Sequence, residues 1–178
     1  LALATTYSLD PDTLLSLPVH MALAERSSTR DADPVKLLES LRRISKKFTV
    51  FVDHTGIKPP SSEKTLFGLL EPMLVPVKAP RGGVFHPKIW VLRFIKPASN
   101  DPALIRLLIL SRNITFDRSW DISLQLDGRP GKELIPANEQ LGNLISDLPS
   151  FGIYPVEEEN KGSIKLLARE VKRTIWEI

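Results

Sequence analysis

The segment Leu104–Leu110 is apolar at every position except Arg106. A run this short and this apolar reads as a β-strand covered on both faces, so the chain must build a sheet with packing layers on each side. Its surroundings agree. Val84–Phe94 alternates and then turns apolar, a second strand, and the turn-rich stretch Pro97–Pro102 joins the two. Ile122–Leu126 is a further strand, closed by Asp127-Gly128.

The first half alternates strands with helices. Residues 2–9 are apolar and β-branched enough for a strand. Asp10-Pro11 is a helix start, Asp as N-cap and Pro at the first helical position, predicting a helix to about residue 24. After a polar loop at 27–33, Asp33-Pro34 repeats the signal. Val35, Leu38, Leu41 and Ile44 then fall on one helical face. Phe48–Val52 is a strand ending at Asp53-His54-Thr55-Gly56. A helix is predicted over 63–70, a short extended piece at 75–77, and two helices over 133–148 and 161–176, the last leading into something beyond the chain. The order is β-α-α-β-α-β-β-β-β-α-α: a mixed sheet flanked by helices, α/β or α+β in class. The 178 residues fit a single domain. The chain begins with Leu, which reads as an excised or processed fragment.

Several classes are excluded or disfavoured. No apolar run approaches the roughly 20 residues of a membrane span, and the first residues lack the pattern of a signal peptide. There is no cysteine, in keeping with a reducing, cytoplasmic setting. His20, His54 and His86 lack metal-ligand spacing, so no metal and no cofactor is expected. The net charge is +3, but 78–112 carries Lys78, Arg81, Lys88, Arg93, Lys96, Arg106 and Arg112 against Asp101 alone. A local positive field suits an anion such as phosphate or nucleic acid; the plainer reading is a solvated face.

Chemistry concentrates at His86-Pro87-Lys88, within the predicted strand VFHPKIWVLRF. Side chains two apart on a strand share a face, so both can address one ligand. Arg81-Gly82-Gly83 supplies a turn and another cation. The next strand ends in Ser111-Arg112-Asn113-Ile114-Thr115, and an antiparallel return would bring Asn113 back towards His86. An imidazole can attack phosphorus, while an ammonium and an amide hold phosphoryl oxygens as charge builds. Plainer roles exist for each: a satisfied strand histidine, an edge-strand lysine, a turn asparagine.

HPK followed by LILSRNIT resembles the signature of phospholipase D-like proteins: His-x-Lys, a strand, then a small residue and Asn. The TTYSLD start followed by a helix is similar to the first strand of such domains. The resemblance implies a phospholipase D-like half, the N-terminal half of a longer protein, with His86 as nucleophile or general acid and Lys88 and Asn113 on phosphate. Asp121 would orient an imidazole, and Ser111, Arg112, Arg81 and Thr115 would support substrate. Many members carry Asp five residues after the lysine; Arg93 stands there, as in the branch that resolves tyrosyl-DNA adducts, which also lacks it. Members use two His-Lys-Asn sets. This sequence holds one, so the second would come from a missing C-terminal region or from a homodimer.

Three functions compete: a metal-independent nuclease or DNA phosphodiesterase acting through phosphohistidine, a non-catalytic nucleic-acid-binding module of a larger restriction or repair enzyme, and, last, lipid phosphodiester chemistry, which no amphipathic anchoring helix supports.

Overall fold

The computed structural model describes residues 1–24, 34–60, 65–96 and 101–177. Among these, seven strands form one sheet: β1 Ala2–Thr6, β2 Phe48–Asp53, β3 Leu74–Val77, β4 Ile89–Phe94, β5 Leu104–Leu110, β6 Ser123–Pro130 and β7 Thr174–Glu177. Their order is β3-β2-β1-β4-β5-β6-β7. The first three are mutually parallel, and every pairing from β1–β4 to β6–β7 is antiparallel. The sheet is mixed and the class α/β, as expected.

Helices α1 (Pro11–Ala24) and α2 (Pro34–Ser45) precede β2, and α3 (Glu139–Asp147) and α4 (Glu158–Val171) follow β6. The Asp10-Pro11 signal works as read, because the Asp10 carboxylate accepts from the amides of Asp12 and Thr13 at 2.9 and 3.4 Å. The Asp33 half of the second signal and the polar loop at 27–33 lie outside the described residues. On α2, Leu41 and Ile44 are buried and Leu38 is exposed.

Alternation along the strands makes two cores. Leu3, Phe51, Val91, Ile105 and Leu107 meet Ile145, Leu148, Ile164 and Leu167 of the second helical layer. Ala4, Val50 and Val52 pack with Leu14, Met73 and Ile114 on the other face. Each fully buried Val, Leu, Ile, Phe or Met among them contributes about 1.5–3 kcal/mol relative to exposure.

Four expectations change. The predicted strand 84–94 begins only at Ile89, so His86, Pro87 and Lys88 precede the ladder; Pro87 has no N–H to enter it. The predicted helix 63–70 is a pair of 3-10 turns, Thr65–Leu69 and Glu71–Met73, residues 61–64 lying outside the described part. Strand β6 continues through Asp127-Gly128 to Pro130. The predicted helix 161–176 ends at Val171 and gives way to β7, which pairs with β6. Gly128 permits that pairing, since a Cβ there would lie 2.4 Å from the carbonyl oxygen of Ile175.

Candidate phosphate-binding site at the sheet rim

The topology sends the C-terminal ends of β1 and β2, the start of β4 and the end of β5 to one rim. The backbone closes this rim tightly: the Leu110 amide donates to the Lys88 carbonyl at 2.9 Å, and Leu9 bridges both Ile57 and Ile114. Gly56 allows the close approach, because any side chain there would collide with the Tyr7 carbonyl.

His86 and Lys88 come together on this rim. The Lys88 ammonium lies 3.0 Å from both ring nitrogens of His86, and whichever carries the lone pair accepts from it. Lys88 is 9 % exposed, and burial lowers its pKa from the ordinary lysine value. The backbone on either side is braced by Thr5, whose hydroxyl donates to the Pro87 carbonyl at 3.0 Å and accepts from the Ile89 amide at 3.0 Å. The exposed His86 ring also leans on Tyr7, their centroids 5.4 Å apart and tilted 39°.

Asn113 reaches the same segment of β1. Its Oδ1 accepts from the Thr6 hydroxyl and from the amides of Tyr7 and Ser8 at 3.2–3.3 Å. This fixes the amide plane and leaves Nδ2 with no acceptor among the described residues. Thr6 completes the clasp by accepting from the Ile114 amide. Tyr7 thus links the two halves of the set, its ring on His86 and its amide on Asn113.

Asp53, at the end of the strand predicted over Phe48–Val52, is a brace. It is buried at the end of β2 and accepts from the Thr55 hydroxyl and amide and, at 3.0 Å, from the Phe85 amide next to His86. Burial pushes its carboxyl up, but the hydrogen bonds of Thr55 and Phe85 outweigh that and hold it below the usual carboxylate value. The signal was present as Asp at a strand's C-terminal end, but its long-range partner was invisible.

The other predicted residues sit elsewhere in the network. Asp121 is engaged by Ser111 and Ser119 at 3.0 Å and faces Arg112 at 3.6 Å. The imidazole's side-chain hydrogen-bond partner is Lys88, so Asp121 does not orient His86 here. Arg112 donates to the carbonyls of Thr115 and Asp117, and the buried Thr115 hydroxyl donates to Asp117. Ser111 also accepts from the Ile122 amide. These three therefore build the 111–122 loop rather than present free polar atoms. Arg81 is exposed in a left-handed conformation, φ 59°. The basic stretch is partly neutralised: Arg93 pairs with Glu170 and Arg106 with Asp127, each bidentately, and Arg112 with Asp117 and Asp121.

Among the described residues no three His, Cys, Asp or Glu side chains gather as metal ligands, and no helix is long and apolar enough to cross a membrane. An apolar cavity of about 350 Å³ lies between α1, α2 and β4; none of the predicted site residues lines it.

The fold is thus a mixed sheet between helical layers, with the end of β1, the His-x-Lys segment and the Asn-bearing end of β5 meeting on one rim. It is similar in structure to two mutant forms of yeast tyrosyl-DNA phosphodiesterase, each with a TM-score of 0.54. Identity is 12 % and 14 %, over 92 % of this chain and 33 % and 34 % of those chains, so the chain spans about a third of the structures it matches. No family model and no curated protein matches the sequence.

Proposed function

We propose that the chain supplies one His-Lys-Asn half-site, the N-terminal half of a metal-independent phosphodiester hydrolase acting on nucleic acid, DNA rather than RNA. The observation that carries this is the meeting of His86 and Lys88, 3.0 Å apart, on the rim where Asn113 holds its amide with Nδ2 open. On binding, the Lys88 ammonium leaves the His86 ring nitrogen for a non-bridging oxygen of the phosphodiester, which frees the lone pair and offsets the negative charge, while Asn113 Nδ2 donates a hydrogen bond to another oxygen. A ring nitrogen of His86 attacks phosphorus, the P–O bond to the leaving group breaks, and the leaving oxygen takes a proton from the histidine of a second set. Water then gives a proton back to the histidine of the second set and attacks the phosphohistidine, and the N–P bond breaks to release phosphate ester and imidazole. The second set comes from a C-terminal region of a longer protein or from another copy. The similarity to tyrosyl-DNA phosphodiesterase supports the choice of phosphodiester chemistry and of DNA.

The test is cleavage of single- and double-stranded DNA by the full-length protein with EDTA present. Turnover is expected to survive the chelator, to vanish in His86→Ala, and to leave an acid-labile phosphohistidine on the parent. Unchanged turnover in His86→Ala removes the mechanism.

A non-catalytic nucleic-acid-binding module is the second reading, favoured by the presence of one His-x-Lys pair in the chain. It gives salt-dependent binding without turnover.

A further inference from the structure

We infer that the loop from Arg112 to Ile122 is a stacking platform for unpaired bases of a nucleic-acid strand, an inference that rests on the reading of His86, Lys88 and Asn113 as a phosphate site. Trp120 is 104 % exposed and Phe116 87 %. Two large rings in water would ordinarily fold back onto apolar surface. Here the loop's polar atoms hold it against that collapse. The Arg112 guanidinium donates to the carbonyls of Thr115 and Asp117 at 2.9 and 2.7 Å and faces both loop carboxylates at 3.6 Å. The Ser119 hydroxyl lies 2.9 Å from Asp117 and 3.0 Å from Asp121, and Ser111 ties Asp121 back to the end of β5. The network points inward and the rings point out.

Position and charge name the occupant. Phe116 and Asn113 line one cavity of about 230 Å³, so a strand whose phosphate meets the Asn113 amide carries its neighbouring base to the loop. Both loop carboxylates face Arg112, Arg118 brings the loop's charge to neutral, and Lys58 acts on Asp117 from outside it. The Asp117 carboxyl is held below its usual range chiefly by the Thr115 and Ser119 hydroxyls, with Arg112 and Lys58 contributing. Arg118 is exposed and has no carboxylate partner among the described residues. Aromatic faces beside cations suit single strands, because every base offers a π-face and every link a phosphate.

Trp90 and Trp176 are half-buried and Trp90 lines the same cavity, so the share of iodide quenching that is lost in Trp120→Ala reports Trp120. In a His86→Asn background, titration with a short oligothymidylate should quench that emission and shield it from iodide, while duplex DNA should bind without shielding it. Trp120→Ala and Phe116→Ala should each weaken oligothymidylate binding by about tenfold, with the far-ultraviolet spectrum unchanged. Oligothymidylate binding that depends on both rings in a protein without turnover supports the platform and removes only the hydrolytic reading. Parental affinity in both variants overturns the platform. So does Trp120 shielded before any DNA is added in a chain that sediments as a dimer, since the exposed Ile109, Ile122 and Leu124 would then belong to an interface between copies.

Discussion

Replacing Thr5 by valine removes one hydroxyl and little volume, yet two polar groups flanking Lys88 lose their partner. The Ile89 amide is buried with Thr5, which is 1 % exposed, and has no route to water. The Pro87 carbonyl is partly exposed and can rehydrate. An orphaned buried donor costs about 1–3 kcal/mol, so a loss of about 2 kcal/mol is expected. For a chain of this size that lowers Tm by roughly 4–8 °C. Thr5→Ser keeps the hydroxyl and loses a methyl, which costs about 1 kcal/mol plus a small cavity. The two variants are thus comparably destabilised but differ at the site. Thermal denaturation by circular dichroism gives the first quantity, and cleavage or oligonucleotide binding gives the second. Thr5→Ser should retain most function and Thr5→Val should lose it, because the Lys88 peptide is held on both sides by that oxygen. Equal function in the two variants would refute the reasoning.

The remaining predictions concern two charged side chains, Lys88 and Arg93. Burial lowers the Lys88 pKa, so turnover should fall on the alkaline side below the ordinary lysine value as the ammonium is lost, and Lys88→Arg should extend that limb. By linkage the unfolded chain binds the Lys88 proton more tightly than the fold does, so Lys88 opposes folding at neutral pH and this penalty fades as pH rises through the lowered pKa. Lys88→Met should therefore be inactive yet at least as stable as the parent at pH 7; a lower Tm would contradict it. Arg93→Met breaks a mostly buried bidentate pair with Glu170 and should cost about 1–3 kcal/mol while leaving turnover per folded molecule unchanged. Arg93→Asp should gain no activity, because the position ties β4 to α4; faster turnover in that variant would reverse the assignment.

What the sequence carried was local. An almost unbroken apolar run placed β5, and the Asp10-Pro11 cap placed α1, because both signals act within a few residues. The end of α4 was misread because Thr174–Glu177 continues an apolar pattern that a helix and a strand share over so few residues; only β6, some fifty residues earlier, makes it a strand. Likewise the HPK segment looked like strand by composition, but the ladder starts where Thr5 and Pro87 allow. His86, Lys88 and Asn113 were recognisable as types of chemistry, whereas Thr5, Thr6, Tyr7 and Asp53, which hold them, were not. Their work is done through backbone amides and carbonyls, to which a residue string assigns no partner. Asp121 shows the converse: a suitable side chain at a plausible spacing, captured by nearer hydroxyls and a guanidinium.

The strand order has a consequence for how such a chain can vary. Direction reverses between β1 and β4, the kind of seam outside which open sheets bind ligands. His86, Lys88 and Asn113 all hang from the ends that meet at this seam. The end of β4 and the start of β5 lie on the opposite rim, a strand's length away. Segments there can lengthen, shorten or acquire new neighbours while the ligand-facing atoms keep their places, so a diverging lineage could rebuild one edge of the molecule and inherit the other unchanged.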